Sequence, residues 1–295
     1  VADHVVRGCV VFPAAAYLET ASAAAFALAP GARSAAFRKT YFLQPLFLDD
    51  VDGLWVNCDV DVEADRFDIN SSREDEDEVA AKVSHCAGDS APATAPAISA
   101  EPVAVREACA EVVDTAALYD ALRGAGLEYG LRYQMLSRVW HGHPGVATAQ
   151  LQTRVHNEGT RVHPADLDAA LQLTSLLVES KPGETRLPFS FGEMTLRSAR
   201  GEIHIVTERR GENVFDVVAC GSSLADNAAV ALGGFENRVF KASQALAQKG
   251  LSKRTNLYST SWILRDGPQP GRAATTALLL AEHTPSEVRT HPSSV

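Results

Sequence analysis

Two polar residues stand beside predicted helices, and their side-chain types suit proton transfer. His4 lies in the segment ADHVVRGCVVFP, directly ahead of an alanine-rich stretch. Asp168 lies in the segment LDAALQLTSLL, which is otherwise mostly apolar. Burial raises the pKa of a carboxyl group, so an aspartic acid held there can donate a proton near neutrality, whereas histidine is suited to accept one. The two residues together therefore predict general acid and base chemistry.

Each of these residues also has an ordinary structural explanation when it is taken alone. A histidine before a helix is commonly a satisfied surface or core group, and an aspartate near a helix N-terminus commonly caps the helix or complements its dipole. Gln172 follows Asp168 by four residues, so the two side chains share one helical face. That face lies in a helix predicted to be buried, where the carboxyl group loses its hydration.

No other group of residues indicates a nucleophile, a phosphate-binding loop or a metal site. The chain has no G-x-S-x-G elbow, no Walker loop and no G-x-G-x-x-G after a predicted strand. Cys9 could pair with His4, but its place beside a buried helix favours a packed thiol. His141 and His143 have no evident third metal ligand, and a turn before a strand explains them better.

The composition is that of an acidic globular protein with reduced cysteines. Lys and Arg number 27 against 37 Asp and Glu, a net charge of −10, and no basic run is interleaved with aromatic residues. This balance argues against nucleic-acid and anionic-membrane partners. Five scattered cysteines without metal-ligand spacing predict buried thiols in the cytoplasm.

The chain divides into two similar halves, each with one long helix followed by several strands. The first helix follows Pro13, is closed by Pro30, and is apolar nearly all round, so it must be enclosed. The second is predicted over residues 163–180. A curved antiparallel sheet wrapped around each helix is the simplest packing.

The acidic run at residues 73–78 is predicted to be a solvated loop, and the segment at 87–104 is rich in Ala, Pro and Ser, as in a linker.

Two motifs carrying these candidate residues resemble the dehydratase domains of modular polyketide synthases. His4, Gly8 and Pro13 match the family motif H-x-x-x-G-x-x-x-x-P, and the segment HPADLDAALQ, with Asp168 and Gln172, resembles the second family signature. The first motif alone is weak, because three fixed residues in ten recur by chance.

Two further segments strengthen the resemblance. YGLRYQML at residues 129–136 resembles the family segment Tyr-Gly-Pro-x-Phe-Gln, and LPFSF at residues 187–191 resembles the family's Leu-Pro-Phe-Ser strand. All four motifs occur in the expected order, and the resemblance covers roughly residues 1–240.

The resemblance implies an α+β double hot-dog fold, in which two long buried helices are each wrapped by a curved antiparallel sheet. The family has a strand hairpin upstream of the first motif, which this sequence lacks, so we expect a piece of a longer polypeptide with an exposed edge on the first sheet. The implied divisions are an N-terminal hot-dog subdomain at 1–95, a linker at 96–110, a C-terminal hot-dog subdomain at 111–240, and a post-domain linker toward a following domain at 241–295.

The resemblance also implies a reaction. The substrate is a β-hydroxyacyl chain thioesterified to the phosphopantetheine arm of an acyl carrier protein, and loss of water gives the α,β-unsaturated thioester, with no cofactor in this domain itself. His4 would remove the proton alpha to the thioester and Asp168 would protonate the departing hydroxyl. Gln172 would hold the carboxyl group or the hydroxyl in place.

Three substrate-binding roles follow from the same resemblance. Gly8 would let the backbone approach the substrate, and Pro13 would start the helix whose free N–H groups polarise the thioester carbonyl. Tyr129 would line the tunnel. Leu131 stands where the family has proline and Tyr133 where it has phenylalanine, in a loop expected to shape the pocket.

Two alternatives stay open at this point. A domain of the same fold could catalyse aldol cyclisation, a double-bond shift or cyclic-ether formation with the same acid and base, or it could be a non-catalytic structural domain. The implied partners are an acyl carrier protein, neighbouring polyketide synthase domains and a second copy of the domain, since the family tends to form homodimers.

Overall fold

The computed structural model provides the geometry described below. It describes residues 1–48, 53–73, 82–91, 102–143, 145–154, 158–179, 181–198, 201–221, 229–240, 258–265 and 274–282. The predicted acidic loop at 73–78 lies almost entirely outside these residues, as does the first part of the predicted linker.

The described residues form sixteen strands, four α-helices and one 3-10 helix. The strands are β1 (His4–Val6), β2 (Cys9–Val10), β3 (Ala35–Phe42), β4 (Leu54–Asp61), β5 (Arg66–Arg73), β6 (Val83–Ser90), β7 (Glu111–Val113), β8 (Leu127–Tyr129), β9 (Leu136–His143), β10 (Val146–Leu151), β11 (Arg186–Leu196), β12 (His204–Arg209), β13 (Val214–Cys220), β14 (Val230–Val239), β15 (Tyr258–Arg265) and β16 (Ala274–Glu282). The helices are α1 (Ala14–Leu28), α2 (Pro102–Ala108), α3 (Thr115–Gly124), α4 (Pro164–Gln172) and the 3-10 helix Leu173–Leu177.

One antiparallel sheet of thirteen strands runs through both halves of the chain. Its order is β15-β16-β4-β5-β6-β3-β11-β14-β13-β12-β10-β9-β7. The halves meet where β3 pairs with β11, in a register that sets Ala35 opposite Leu196 and Tyr41 opposite Ser190. The two predicted sheets are therefore hydrogen-bonded to each other at their inner edges.

Each half of the sheet packs against its own helix, and the two helices also touch. Helix α1 packs on β3, β4 and β5, whereas α4 packs on β12 and β13, and α1 and α4 contact each other. Ala15, Leu18 and Ala21 of α1 and Leu167 and Ala170 of α4 are almost fully buried. Small alanine side chains let the helices and sheet approach closely, as the apolar sequence of α1 requires.

A second, three-stranded sheet joins the two halves near the first motif. Its order is β2-β1-β8, and β1 pairs with β8 so that His4 lies opposite Tyr129 and Val6 opposite Leu127. The segments that form this pair are far apart in the sequence. Neither β1 nor β8 follows from hydrophobic periodicity, because each has only three residues.

Several predicted elements are confirmed and others are corrected. The first helix and the strands expected around it are present, but the second helix is shorter than expected, since the α-helix ends at Gln172 and continues only as a 3-10 helix. The segment with His141 and His143 lies in strand β9 and not in a turn.

The predicted linkers contain regular structure in the described residues. Strand β6 extends into the start of the Ala/Pro/Ser-rich segment, and α2 lies inside the predicted linker at 96–110. Strands β15 and β16 lie inside the predicted post-domain linker at 241–295, and β16 pairs with β4. The edge of the first half that we expected to be exposed is thus covered by β16. The exact domain boundaries stay predictions.

Candidate active site

Strand β1 and the turn after it hold the His4 side chain in one orientation. The His4 Nδ1 atom lies 2.9 Å from the Val11 carbonyl oxygen. Because a carbonyl can only accept, Nδ1 carries the proton and donates it, which leaves a lone pair on Nε2. The imidazole is buried, and its ring centroid lies 5.6 Å from that of Tyr129 and 5.5 Å from that of Tyr133.

The start of helix α4 is built to hold Asp168 inside the fold. His163 is the N-cap residue, and its Nδ1 accepts a hydrogen bond from the Ala165 N–H at 3.1 Å, while Pro164 occupies the first helical position. Asp166 in the first turn pairs with Arg154 at 3.0 Å. Asp168 follows one half-turn later, where the helix is buried on all sides.

The structure brings His4 and Asp168 together, although they come from different halves of the chain. The Nε2 atom of His4 lies 3.8 Å from Oδ1 of Asp168. Burial, acting against the nearby imidazole and two hydrogen bonds, raises the pKa of Asp168. The His4 imidazole therefore faces a carboxyl group whose pKa is raised by burial.

Two neighbouring side chains orient the Asp168 carboxyl group. The Gln172 Nε2 group donates to Asp168 Oδ2 at 2.8 Å, and the Tyr129 hydroxyl also donates to this carboxyl. Burial, together with the nearby Asp168, keeps the pKa of Tyr129 above its ordinary value, so this hydroxyl remains a donor. The predicted shared face of Asp168 and Gln172 thus forms a direct hydrogen bond.

An apolar cavity of about 320 Å³ opens beside this pair. Both halves line it, and its walls include His4, Asp168, Gln172 and Tyr129 together with Phe12 and Leu171. Its lining residues Leu43 and Val239 are exposed at 56% and 44%, so the cavity opens to solvent beside the ends of β3 and β14. The volume is at the lower end of the range typical for small-molecule sites.

The N-terminus of helix α1 also faces the cavity. Ala14, its first residue, is part of the cavity wall, and Pro13 before it provides no side-chain cap. The Ala16 and Tyr17 N–H groups donate to the Pro13 carbonyl, so the N–H groups left to bind an oxygen atom placed there are those of Ala14 and Ala15.

Gly8, Pro13 and Leu131 were singled out in the sequence but are not part of the cavity wall that the structure describes. Gly8 lies with Arg7 in the turn between β1 and β2, where its φ of +78° favours glycine, and its N–H donates to Glu128. Leu131 is 85% exposed, whereas Tyr133 from the same loop is buried against His4. The conformation of the turn explains Gly8, and its predicted contact with substrate stays a prediction.

Cys9 and His141, also considered in the sequence, lie outside the cavity wall that the structure describes. Cys9 is buried, and His141 Nδ1 lies 3.6 Å from Glu111 Oε2 near the surface. Within the part of the chain that the structure describes, no cluster of three or more His, Cys, Asp or Glu could hold a metal ion. The same described residues include no helix with the length and hydropathy of a membrane span.

One buried acidic group outside the His4 and Asp168 pair connects the two halves. The Glu19 carboxylate of α1 accepts hydrogen bonds from the Arg161 N–H at 2.8 Å and the Val162 N–H at 3.4 Å. The guanidinium of Arg161 lies over the Phe26 ring at 3.6 Å. Helix α1 thereby holds the loop that leads into α4.

This buried glutamate predicts a pH-dependent stability. Burial raises the pKa of Glu19 from 4.5 to about 7, against the two backbone hydrogen bonds. The folded state therefore holds more protons than the unfolded state between those values, and the free energy of unfolding falls as pH rises through this range, by about 3 kcal/mol in total. Glu19→Gln should remove this part of the dependence.

Urea unfolding of the wild type and of Glu19→Gln at about pH 5 and about pH 8 measures the effect. The exposed Glu107→Gln serves as the control and should behave as the wild type does. Equal pH dependence in Glu19→Gln and the wild type would contradict the assignment.

Comparisons with known proteins identify the family and the fold. A family model described as the polyketide synthase dehydratase domain matches residues 1–73, and one described as the polyketide synthase dehydratase N-terminal domain matches residues 99–243. Polyketide synthase GfsE from Streptomyces halstedii is 28% identical over 278 residues, which cover 89% of this chain and 7% of that protein. Erythronolide synthase EryA2 from Saccharopolyspora erythraea is 36% identical over 81 residues, 28% of this chain and 2% of that protein. The chain thus spans a small fraction of these large multidomain relatives.

Solved structures with the same fold include two dehydratase domains. The domain from the CurF module of curacin polyketide synthase superposes with a TM-score of 0.70 at 21% identity, covering 81% of this chain and 88% of that one. The dehydratase domain of RzxB from Pseudomonas fluorescens superposes with a TM-score of 0.66 at 23% identity, covering 80% of this chain and 89% of that one. The predicted double hot-dog fold is confirmed. This chain belongs to the dehydratase domains of polyketide synthases, a family of hydro-lyases.

Proposed function

We propose that this domain removes water from a β-hydroxyacyl thioester carried on the phosphopantetheine arm of an acyl carrier protein, with His4 as base and Asp168 as acid. The observation that carries the proposal is the position of His4 Nε2 3.8 Å from Asp168 Oδ1 beside an apolar cavity, with His4 Nδ1 hydrogen-bonded to the Val11 carbonyl. Elimination of water requires one group that accepts a proton and another that donates one, both beside the same part of the substrate.

The reaction follows from these positions. His4 Nε2 takes the α-proton, and the electrons of that C–H bond move into the enolate of the thioester. They then form the double bond as the C–O bond breaks and the β-hydroxyl accepts the Asp168 proton and leaves as water. The imidazolium and carboxylate that remain are neighbours, so one proton transfer restores both groups. Because both groups approach from one side of the chain, the geometry favours syn elimination.

The cavity and its surroundings suit such a substrate. The apolar wall accommodates an acyl chain, and the opening beside β3 and β14 admits a thioester on a long arm. The uncapped N-terminus of α1 at Ala14 is placed to stabilise negative charge that develops on the thioester oxygen.

Known variants of a related protein support the two roles. Solved structures of the CurK dehydratase include one with histidine replaced by phenylalanine and one with aspartate replaced by asparagine, and both are described as inactive mutants. These structures are 19% identical to this chain, with TM-scores of 0.70 and 0.69. His4 and Asp168 are the residues that we propose for those roles here.

A direct assay tests the proposed reaction. The protein is incubated with a β-hydroxyacyl pantetheine thioester, and we expect a product that has lost one water molecule and absorbs as an α,β-unsaturated thioester. The analogue without the β-hydroxyl is the control and should keep its mass. A product of unchanged mass with a new ring or a moved double bond would indicate a cyclase or an isomerase, and an unchanged substrate would contradict the proposal.

The carrier-protein part of the proposal has its own measurement. The same acyl chain on an acyl carrier protein should react with a higher kcat/KM than on free pantetheine. Equal values for the two substrates would show that the carrier protein itself is not recognised.

A further inference from the structure

A buried hydroxyl lies behind the Asp168 and Gln172 pair and was not singled out in the sequence. Tyr119 is in the middle of α3, and its hydroxyl lies 3.1 Å from Gln172 Oε1. The same hydroxyl oxygen accepts the Leu136 N–H at 3.1 Å. Tyr119 is 7% exposed and does not belong to the cavity wall that the structure describes.

Backbone groups fix the direction of every hydrogen bond in this chain of contacts. The Leu136 N–H can only donate, so the Tyr119 oxygen accepts it and the Tyr119 O–H is left to donate to Gln172 Oε1. At the other end, the Tyr133 carbonyl can only accept, and it lies 3.1 Å from Gln172 Nε2. The Gln172 amide therefore has one orientation, with its NH2 group toward Asp168.

This orientation favours one oxygen of Asp168 as the site of the proton. Gln172 Nε2 donates to Oδ2 at 2.8 Å, and the Tyr129 hydroxyl donates to the same carboxyl. The Gln172 donor favours Oδ2 as the acceptor oxygen and Oδ1, which lies 3.8 Å from His4 Nε2, as the oxygen that holds the acidic proton. A flipped amide would place Oε1 against Oδ2 and draw the proton to Oδ2, away from the reacting atoms.

We propose that Tyr119 is a positioning residue for the dehydration, which acts through Gln172 to keep the Asp168 proton on Oδ1. The proposal rests on the proposed function for its effect on rate, but the hydrogen-bond relay itself does not depend on catalysis. Such a relay strengthens each bond in it, because polarised hydrogen bonds reinforce one another in a buried site.

Tyr119→Phe removes only the hydroxyl and keeps the ring in the core. We expect kcat to fall about tenfold, with KM nearly unchanged, since the lost hydrogen bond orients the acid and does not contact the substrate. The Gln172 hydrogen bond holds the pKa of Asp168 down, so its weakening should move the alkaline limb of the kcat profile to higher pH. A fall in kcat without movement of this limb would contradict the proposal.

A double-mutant cycle separates positioning from general support of the fold. Gln172→Leu should lower kcat by at least as much as Tyr119→Phe, and the double variant should be no slower than Gln172→Leu alone, because Tyr119 acts through Gln172. Losses that multiply would show that Tyr119 supports the site in some other way. Thr148→Val, which removes a different buried hydroxyl bond to the Ile205 carbonyl, is the stability control and should retain the wild-type kcat.

A readout without turnover distinguishes failure of this inference from failure of the proposed function. The pKa of Asp168 is measured by NMR with carboxyl-labelled aspartate, and its signal is assigned from its absence in Asp168→Asn. Tyr119→Phe should raise this pKa, and 3-fluorotyrosine at position 119, a stronger donor with nearly the same shape, should lower it. An unchanged pKa in the folded variants would overturn the inference, whereas the expected shifts in a protein without dehydratase activity would overturn only the proposed function.

Discussion

His4→Phe is expected to reduce the rate of water elimination by about a thousandfold, the middle of the range for a lost general base. Phenylalanine retains a ring for the contacts with Tyr129 and Tyr133, but it has no lone pair at the position of Nε2. Removal of the α-proton should therefore stop. The measurement is twofold: formation of the unsaturated thioester, and exchange of the α-proton of the substrate in deuterated water.

The control for this variant is His141→Phe, which removes an imidazole near the surface and outside the cavity. It should dehydrate the substrate at the wild-type rate. Exchange of the α-proton at the wild-type rate in folded His4→Phe would assign proton removal to another group. In His4→Phe the Val11 carbonyl loses its hydrogen-bond donor. Circular dichroism is therefore used to establish that the variant is folded.

Asp168→Asn is expected to have an equally large effect on elimination but a different effect on exchange. An amide at this position cannot release a proton to the leaving hydroxyl, so formation of the unsaturated product should fall by about a thousandfold. His4 keeps its lone pair, so the α-proton should continue to exchange with solvent. The two variants thus separate the breaking of the C–H bond from the breaking of the C–O bond.

The pH dependence provides an additional measure for Asp168. Burial raises the pKa of this carboxyl, and the protonated form is the active acid, so kcat should fall as pH rises above the raised pKa. Residual activity in Asp168→Asn should lack this alkaline limb.

Asp166→Asn is the matched control, on the same helix and two residues upstream. It weakens the ion pair with Arg154 without changing a group that lines the described cavity. The free energy of unfolding should decrease, whereas the fall of kcat at alkaline pH should persist. If folded Asp168→Asn eliminated water at the wild-type rate, Asp168 would not be the acid. If the α-proton no longer exchanged in this variant, Asp168 would contribute to proton removal.

The parts of the site that lie within one short segment could be predicted from the sequence. Pro13 marks the start of α1 in the sequence, and the apolar character of α1 predicts its enclosure. Asp168 and Gln172 share a face because they are four residues apart on a helix, and the structure adds the 2.8 Å hydrogen bond between them.

The contacts between distant segments could not be predicted in this way. The pairing of β1 with β8 depends on how the two halves dock, which leaves no periodic pattern in either three-residue strand. Tyr119 has the spacing of a core residue, three before Leu122, so its sequence position indicates packing and not a hydrogen bond to Gln172. Leu131 and Tyr133 are two residues apart in one loop, and only the backbone path decides which of them turns inward.

The ribbon of β2, β1 and β8 has a consequence for biosynthesis of the protein. During translation, His4 leaves the ribosome long before either Tyr129 or Asp168 exists, and β1 then has no strand on its second side. A nascent chain that holds only the first half lacks Asp168, the residue that we propose as the acid, and the strand that pairs with β1 on its second side. Under the proposed function, an elongating chain should therefore not eliminate water from a substrate until the second half has been made and β8 has paired with β1.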